Sequence, residues 1–127
     1  MKIENNYIKY EIINDILIGT YKAKYIDLDI AKSVVSLRKK FTNNLKYPVL
    51  IKDNNTVKID KSARDYFASD AGAQGINAVA VIANSVYKVT LMNFFIVVLP
   101  PKMPVKLFKS EEKAMNWLEK HKVIFHE

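Results

Sequence analysis

From Tyr7 to Ile13 the chain alternates, with Ile8, Tyr10 and Ile12 on one side and Lys9 and Glu11 on the other. A period of two is that of a strand with one buried face. Asn14 and Asp15 follow, a pair suited to the tight turn of a hairpin. Ile16 to Tyr21 (ILIGTY) reads as the returning strand, and Gly19 within it marks a bulge or a close approach. The period then changes. Asp27 or Asp29 opens a helix, since an acid stabilises an N-terminus. Ile30, Val34, Leu37, Phe41 and Leu45 recur at helical spacing and form its apolar face. Lys32, Ser36, Lys39 and Lys40 fall mostly opposite, and Asn43-Asn44 ends the helix.

The second half repeats this alternation of periods. Tyr47 to Ile51 (YPVLI) is short, apolar and follows a helix, which predicts a buried parallel strand. Asp53 to Lys58 is a polar loop. Asp60 caps a short helix reaching about Ser69, with Ile59, Ala63 and Phe67 facing inward. Asp70 to Gly75 is a run of small residues read as flexible. Ala78 to Ala83 (AVAVIA) has no polar side at all, as expected of a central strand covered on both faces. Asn84-Ser85 caps a third helix over Val86 to about Val98, stopped by Pro100-Pro101. Val105 to Phe108 is the last strand. Ser110 caps the final helix, with Glu111 and Glu112 in its first turn, Lys120, His121 and Lys122 in its last, and Ala114, Trp117, Leu118 and His121 on one face. The apolar tail Val123 to Phe125 is read as docking back. The order β-β-α-β-α-β-α-β-α predicts an α/β fold with an N-terminal antiparallel hairpin, then a mixed sheet of about five strands with four helices.

Length and composition narrow the class. The 127 residues read as a single domain, residues 1–127, large enough to bury a core unaided. Cysteine is absent, which removes disulfide scaffolds, thiolate metal sites and cysteine nucleophiles and suits a cytoplasmic protein. No signal-peptide core precedes the first strand. The most apolar run, Leu91 to Leu99, falls far short of the about 20 residues needed to span a membrane. The net charge is +7, yet the only arginines are Arg38 and Arg64. Base readout and bidentate phosphate clamps favour arginine. The scattered lysines therefore read as a solvated surface, with nucleic-acid binding the weakest of three functional readings.

Candidate chemistry is sparse. The glycines, Gly19, Gly72 and Gly75, form no phosphate-binding loop. His121 and His126 read as a helix-end and a tail histidine, so no metal and no cofactor are expected. Asp60, Asp65 and Asp70 recur every five residues and share no helix face. With no catalytic roles to assign, the expectation is a protein that is not an enzyme. Two features rise above this background. One is the helix start Asp60-Lys61-Ser62. The other is the third helix, apolar nearly all round, where Leu91, Phe94 and Phe95 suggest a homodimer interface or a surface for a lipid or other apolar ligand.

The hairpin, the buried strand, the D-x-S helix start, the AVAVIAN strand and the closing KLFKSEEKAMNWL resemble the STAS domain, in its SpoIIAA-like branch. The resemblance covers nearly the whole chain in element order. It implies a non-enzymatic regulatory or protein-interaction domain, with the anti-sigma-type partner-switching pathway as the family's best-known setting. In antagonists of that family a serine at the start of the second helix is phosphorylated within the motif D-S-S-G. The matching positions here are Asp60, Lys61, Ser62 and Ala63, so lysine replaces the first serine and alanine the glycine. The resemblance implies Ser62 as a phosphorylation site. Asp60, Lys61, Ser62 and Arg64 are then the partner surface, with Lys58, Lys61 or Arg64 available to pair with the phosphate.

Overall fold

The computed structural model describes residues 1–53, 56–82 and 103–122. Its main sheet has six strands in the order β1-β2-β3-β5-β7-β8. They are β1 (Lys2–Glu4), β2 (Ile8–Ile13), β3 (Ile16–Tyr21), β5 (Tyr47–Asp53), β7 (Ile76–Ile82) and β8 (Val105–Phe108). The first two pairings are antiparallel, and β3, β5, β7 and β8 run parallel to one another. A separate two-stranded parallel ribbon joins β4 (Tyr25–Ile26) to β6 (Lys58–Ile59). The described helices are α1 (Leu28–Thr42), α2 (Lys61–Ala68), α3 (Asp70–Ala73) and α4 (Glu111–Glu119).

The strands sort their side chains by parity. Tyr10, Leu17, Tyr21, Val49, Ile51, Val79 and Val81 point to one face and are covered by α1 and α2. Ile16, Ile18, Leu50, Ala78, Ala80 and Ile82 point to the other, where α4 lays Ala114 and Leu118 on them. The apolar stretches 48–51 of β5 and 78–82 of β7 are thus buried on both faces, as expected of interior strands. The alanines of β7 lie on the α4 side, opposite the buried Ala114 of that helix, and small residues there let helix and sheet approach closely. The hairpin turn is built as expected. Asn14 and Asp15 both take positive φ, 54° and 62°, and Ile13 pairs with Ile16. Gly19 marks a close approach rather than a bulge: the register runs unbroken past it, and a Cβ there would meet the Tyr10 ring at 3.1 Å.

Several expectations are corrected. Strand β1 was not foreseen; it returns through Asn5, whose Oδ1 accepts from the backbone N–H of Tyr7 and Ile8. The ribbon β4–β6 was not foreseen either, and Lys58 belongs to it rather than to a loop. The buried stripe of α1 is Ala31, Val34, Val35, Arg38 and Thr42. Ile30, Leu37 and Phe41 only flank it, and Leu45 is exposed, because the interior accepts Arg38 where the apolar pattern placed Leu37. Asp27, not Asp29, caps this helix, accepting from Ile30 N–H at 2.8 Å. Asp60 occupies the N-cap position of α2, but its carboxylate makes no capping bond. Residues 70–73 form a helical turn capped by Ser69 rather than a flexible run. Helix α4 stops at Glu119, so Lys120, His121 and Lys122 lie at and beyond its cap. The expected third helix, with Leu91, Phe94 and Phe95, and the tail from Val123 lie outside the described residues.

Candidate interaction surface

The parallel strands β3 and β5 end side by side, with Tyr21 paired to Asp53. In open α/β sheets the carboxyl ends of the strands are where loops carry function. Here the two segments leaving them are tied together. Asp53 is buried, and its carboxylate accepts from the Thr56 N–H at 2.9 Å. The Thr56 hydroxyl, also buried, donates to the Ala23 carbonyl at 2.7 Å. Val57 N–H donates to Lys24 O at 2.7 Å, and Asp60 N–H to Ile26 O at 2.9 Å. Buried polar groups persist where they are bonded in this way. The result is a braced shelf that delivers the chain into α2 at a fixed angle.

Helix α2 turns only Ala63 and Phe67 fully inward. Asp60, Lys61, Ser62, Arg64 and Asp65 are all exposed. The four residues singled out by sequence are therefore brought together on one accessible helix start. Lys61 is engaged by Asp65 at 2.8 Å, an exposed i, i+4 pair of small energetic weight. Among the described residues, neither Lys58 nor Arg64 forms an ion pair. Because the Asp60 carboxylate does not cap, the first-turn N–H groups of Ser62 and Ala63 receive no bond from it.

Two residues that the sequence reading passed over belong to the same surface. Tyr25 is 64% exposed and Val57 61%, among the most exposed large hydrophobic side chains described. Tyr25 is paired with Lys58 across the ribbon that leads into α2. The sequence signal was slight: Val57 stands alone among the polar residues of 53–58, and Tyr25 directly follows Lys24. Tyr10 and Glu4, away from this surface, have shifted acidity. Burial pushes the Tyr10 phenol well above its ordinary range, partly offset by the neighbouring Arg38. The Lys22 ammonium, hydrogen-bonded to Glu4, holds that carboxyl low. Among the described residues no cluster of histidine, aspartate and glutamate is arranged to hold a metal ion, and no helix is long and apolar enough to cross a membrane.

A six-stranded mixed sheet with an antiparallel entry, parallel remainder and helices on both faces is the SpoIIAA-like arrangement that the resemblance implied. A crystal structure of an uncharacterised protein of the DUF3478 family from Shewanella loihica, described as having a SpoIIAA-like fold, superposes with a TM-score of 0.60. It is 16% identical and covers 91% of this chain and 98% of its own, so the likeness is one of fold. Residues 10–122 match the family model of DUF7793, a domain of unknown function, and the chain belongs to that family. No curated protein matches it.

Proposed function

We propose that this protein is a non-enzymatic interaction domain of STAS type, acting through the surface built by β4, β6 and the start of α2. The observation that carries this reading is the pairing of exposed Tyr25 and Val57 with an exposed helix start bearing Asp60, Lys61, Ser62 and Arg64. Aromatic and arginine side chains on an accessible surface are the usual anchors of protein interfaces. The braced loop beneath them limits the entropy lost on docking. The occupant is a protein partner, and Ser62 is the position at which phosphorylation would control it.

A phosphate on Ser62 would add nearly two negative charges beside uncapped first-turn N–H groups, within the neighbourhood of Lys58 and Arg64. It would reverse the local sign of the surface. The experiment compares Ser62→Ala and Ser62→Asp with wild type for binding to a partner captured in defined ratio, alongside phosphosite mapping of the protein from cells. Both variants fold normally because Ser62 is exposed. The aspartate is expected to weaken binding and the alanine to retain it. Equal binding by all three, with no phosphate on Ser62, would remove the switch from the proposal while leaving the surface to be tested separately.

A further inference from the structure

Arg38 is a cation in the interior. It is 6% exposed, on the inward stripe of α1. Its Nη2 donates to the carbonyls of Gly72 at 2.7 Å and Gln74 at 3.0 Å, at the end of α3. Those carbonyls are orphans of a helix terminus, and the guanidinium satisfies them. They are dipoles, however, and not a counter-charge. Among the described residues no other carbonyl or carboxylate accepts from this guanidinium, and the Tyr10 phenol is its further polar neighbour. That phenol spends its own proton on the Val34 carbonyl at 3.1 Å.

Beside this guanidinium lies a cavity of about 30 Å³. Arg38, Tyr10 and Tyr21 line it together with Val49, Ile51, Phe67, Ile76 and Val79 and the Gly72 backbone, and no carboxylate takes part. It has room for at least one water-sized particle. A water there would have to place its own protons, and the walls are chiefly hydrocarbon. A particle that only accepts hydrogen bonds is better matched, and it would also neutralise a charge that is costly to bury unpaired. Phosphate and sulfate carry more charge than one guanidinium offsets.

We propose that this cavity binds a small monovalent anion, either a halide or the carboxylate of one of the shortest organic acids, held by Arg38. The anion would complete the interior between α1, α3 and the sheet, independently of the surface around Ser62.

The test is a titration at constant ionic strength, exchanging gluconate for bromide in one arm and for formate in the other. Methyl resonances of Val49, Ile51 and Val79 and the Arg38 Nε–H resonance report on the site. The expected result is saturable shifts that share one dissociation constant, and an anomalous-scattering peak within hydrogen-bond distance of Arg38 in crystals grown in bromide. Saturation in the bromide arm alone assigns an inorganic occupant, and tighter saturation by formate an organic one. Arg38→Met removes the cation but also releases the α3 carbonyls. Val79→Ile is therefore the second variant: it fills the cavity while Arg38 stays, and should weaken binding about tenfold or more. Shifts that never saturate in either arm, or saturable binding unchanged by Val79→Ile, would overturn the proposal.

Discussion

Replacing Gly72 by alanine sets two physical expectations against each other. Gly72 lies in helix α3, where the change normally stabilises by about 0.4–1 kcal/mol through the unfolded chain. The structure predicts the opposite sign. An added Cβ would sit 2.0 Å from the Tyr66 carbonyl oxygen and 2.9 Å from the Phe67 Cα. Both are backbone atoms of α2, so no rotamer change relieves the contact. Helix α3 would have to move away from α2, and its movement is opposed by the Arg38 bond to Gly72 O and by the Ser69 Oγ that accepts from Gly72 N–H. Overpacking of this kind costs about 1–3 kcal/mol, and weakening a hydrogen bond to a charged donor costs about 1.5–3 kcal/mol more. A net loss of about 3 kcal/mol is expected, a large share of the roughly 5–15 kcal/mol that holds a domain folded. Urea unfolding followed by circular dichroism measures it, as a lower midpoint at unchanged slope. A midpoint equal to or above wild type would show that the close packing of α3 on α2 is wrong.

The two acidic N-caps should separate cleanly: Asp27→Ala loses the bond to Ile30 N–H and about 1 kcal/mol, whereas Asp60→Ala, which loses no capping bond, stays within about 0.5 kcal/mol of wild type in the same unfolding assay. Ala80→Leu forces a larger side chain between β7 and α4, where Ala80, Ala114 and Leu118 are wholly buried, and should destabilise by about 1–3 kcal/mol. Tyr10 governs an alkaline limb. Its phenol is raised above the ordinary value of 10.0, so the folded protein keeps a proton that the unfolded chain releases; its contribution is constant below pH 10 and falls as pH rises further, by up to about 1.4 kcal/mol per unit. Tyr10→Phe should make that fall shallower, while Tyr47, raised by burial and by Asp15, keeps part of it; an unchanged slope in unfolding free energy between pH 10 and 12 would contradict the buried placement of Tyr10.

The parts of the fold legible in sequence were those whose pattern has one physical solution. AVAVI has no polar side and had to lie inside a sheet; Asn14-Asp15 fits a tight hairpin turn; Ser110 followed by two glutamates opens a helix. What escaped depended on partners distant in sequence. Arg38 is buried only because the end of α3 supplies acceptors 34 and 36 residues away. The ribbon β4–β6 is two residues wide on each side, too short for a period, and exists because Asp53 and Thr56 pin the loop to Ala23. Asp60 has the right residue type for a cap, but whether its side chain turns to the helix is not encoded in its type. For the candidate surface, the D-x-S start was visible in sequence, and the contribution of Tyr25 emerged only when the ribbon placed it beside Lys58.

The central claim is that the protein works through the surface of β4, β6 and the start of α2. It is tested most directly by measuring the affinity of a purified partner for wild type, for Tyr25→Ser combined with Arg64→Glu, and for Lys113→Glu. Lys113 is exposed on α4, against the opposite face of the sheet, and serves as the control. All three should unfold alike, since none of these side chains is buried. The account predicts at least about a tenfold loss of affinity for the double variant, equivalent to about 1.4 kcal/mol, and no change for Lys113→Glu. Full binding by the double variant, or loss confined to Lys113→Glu, would place the partner elsewhere on the molecule and contradict it.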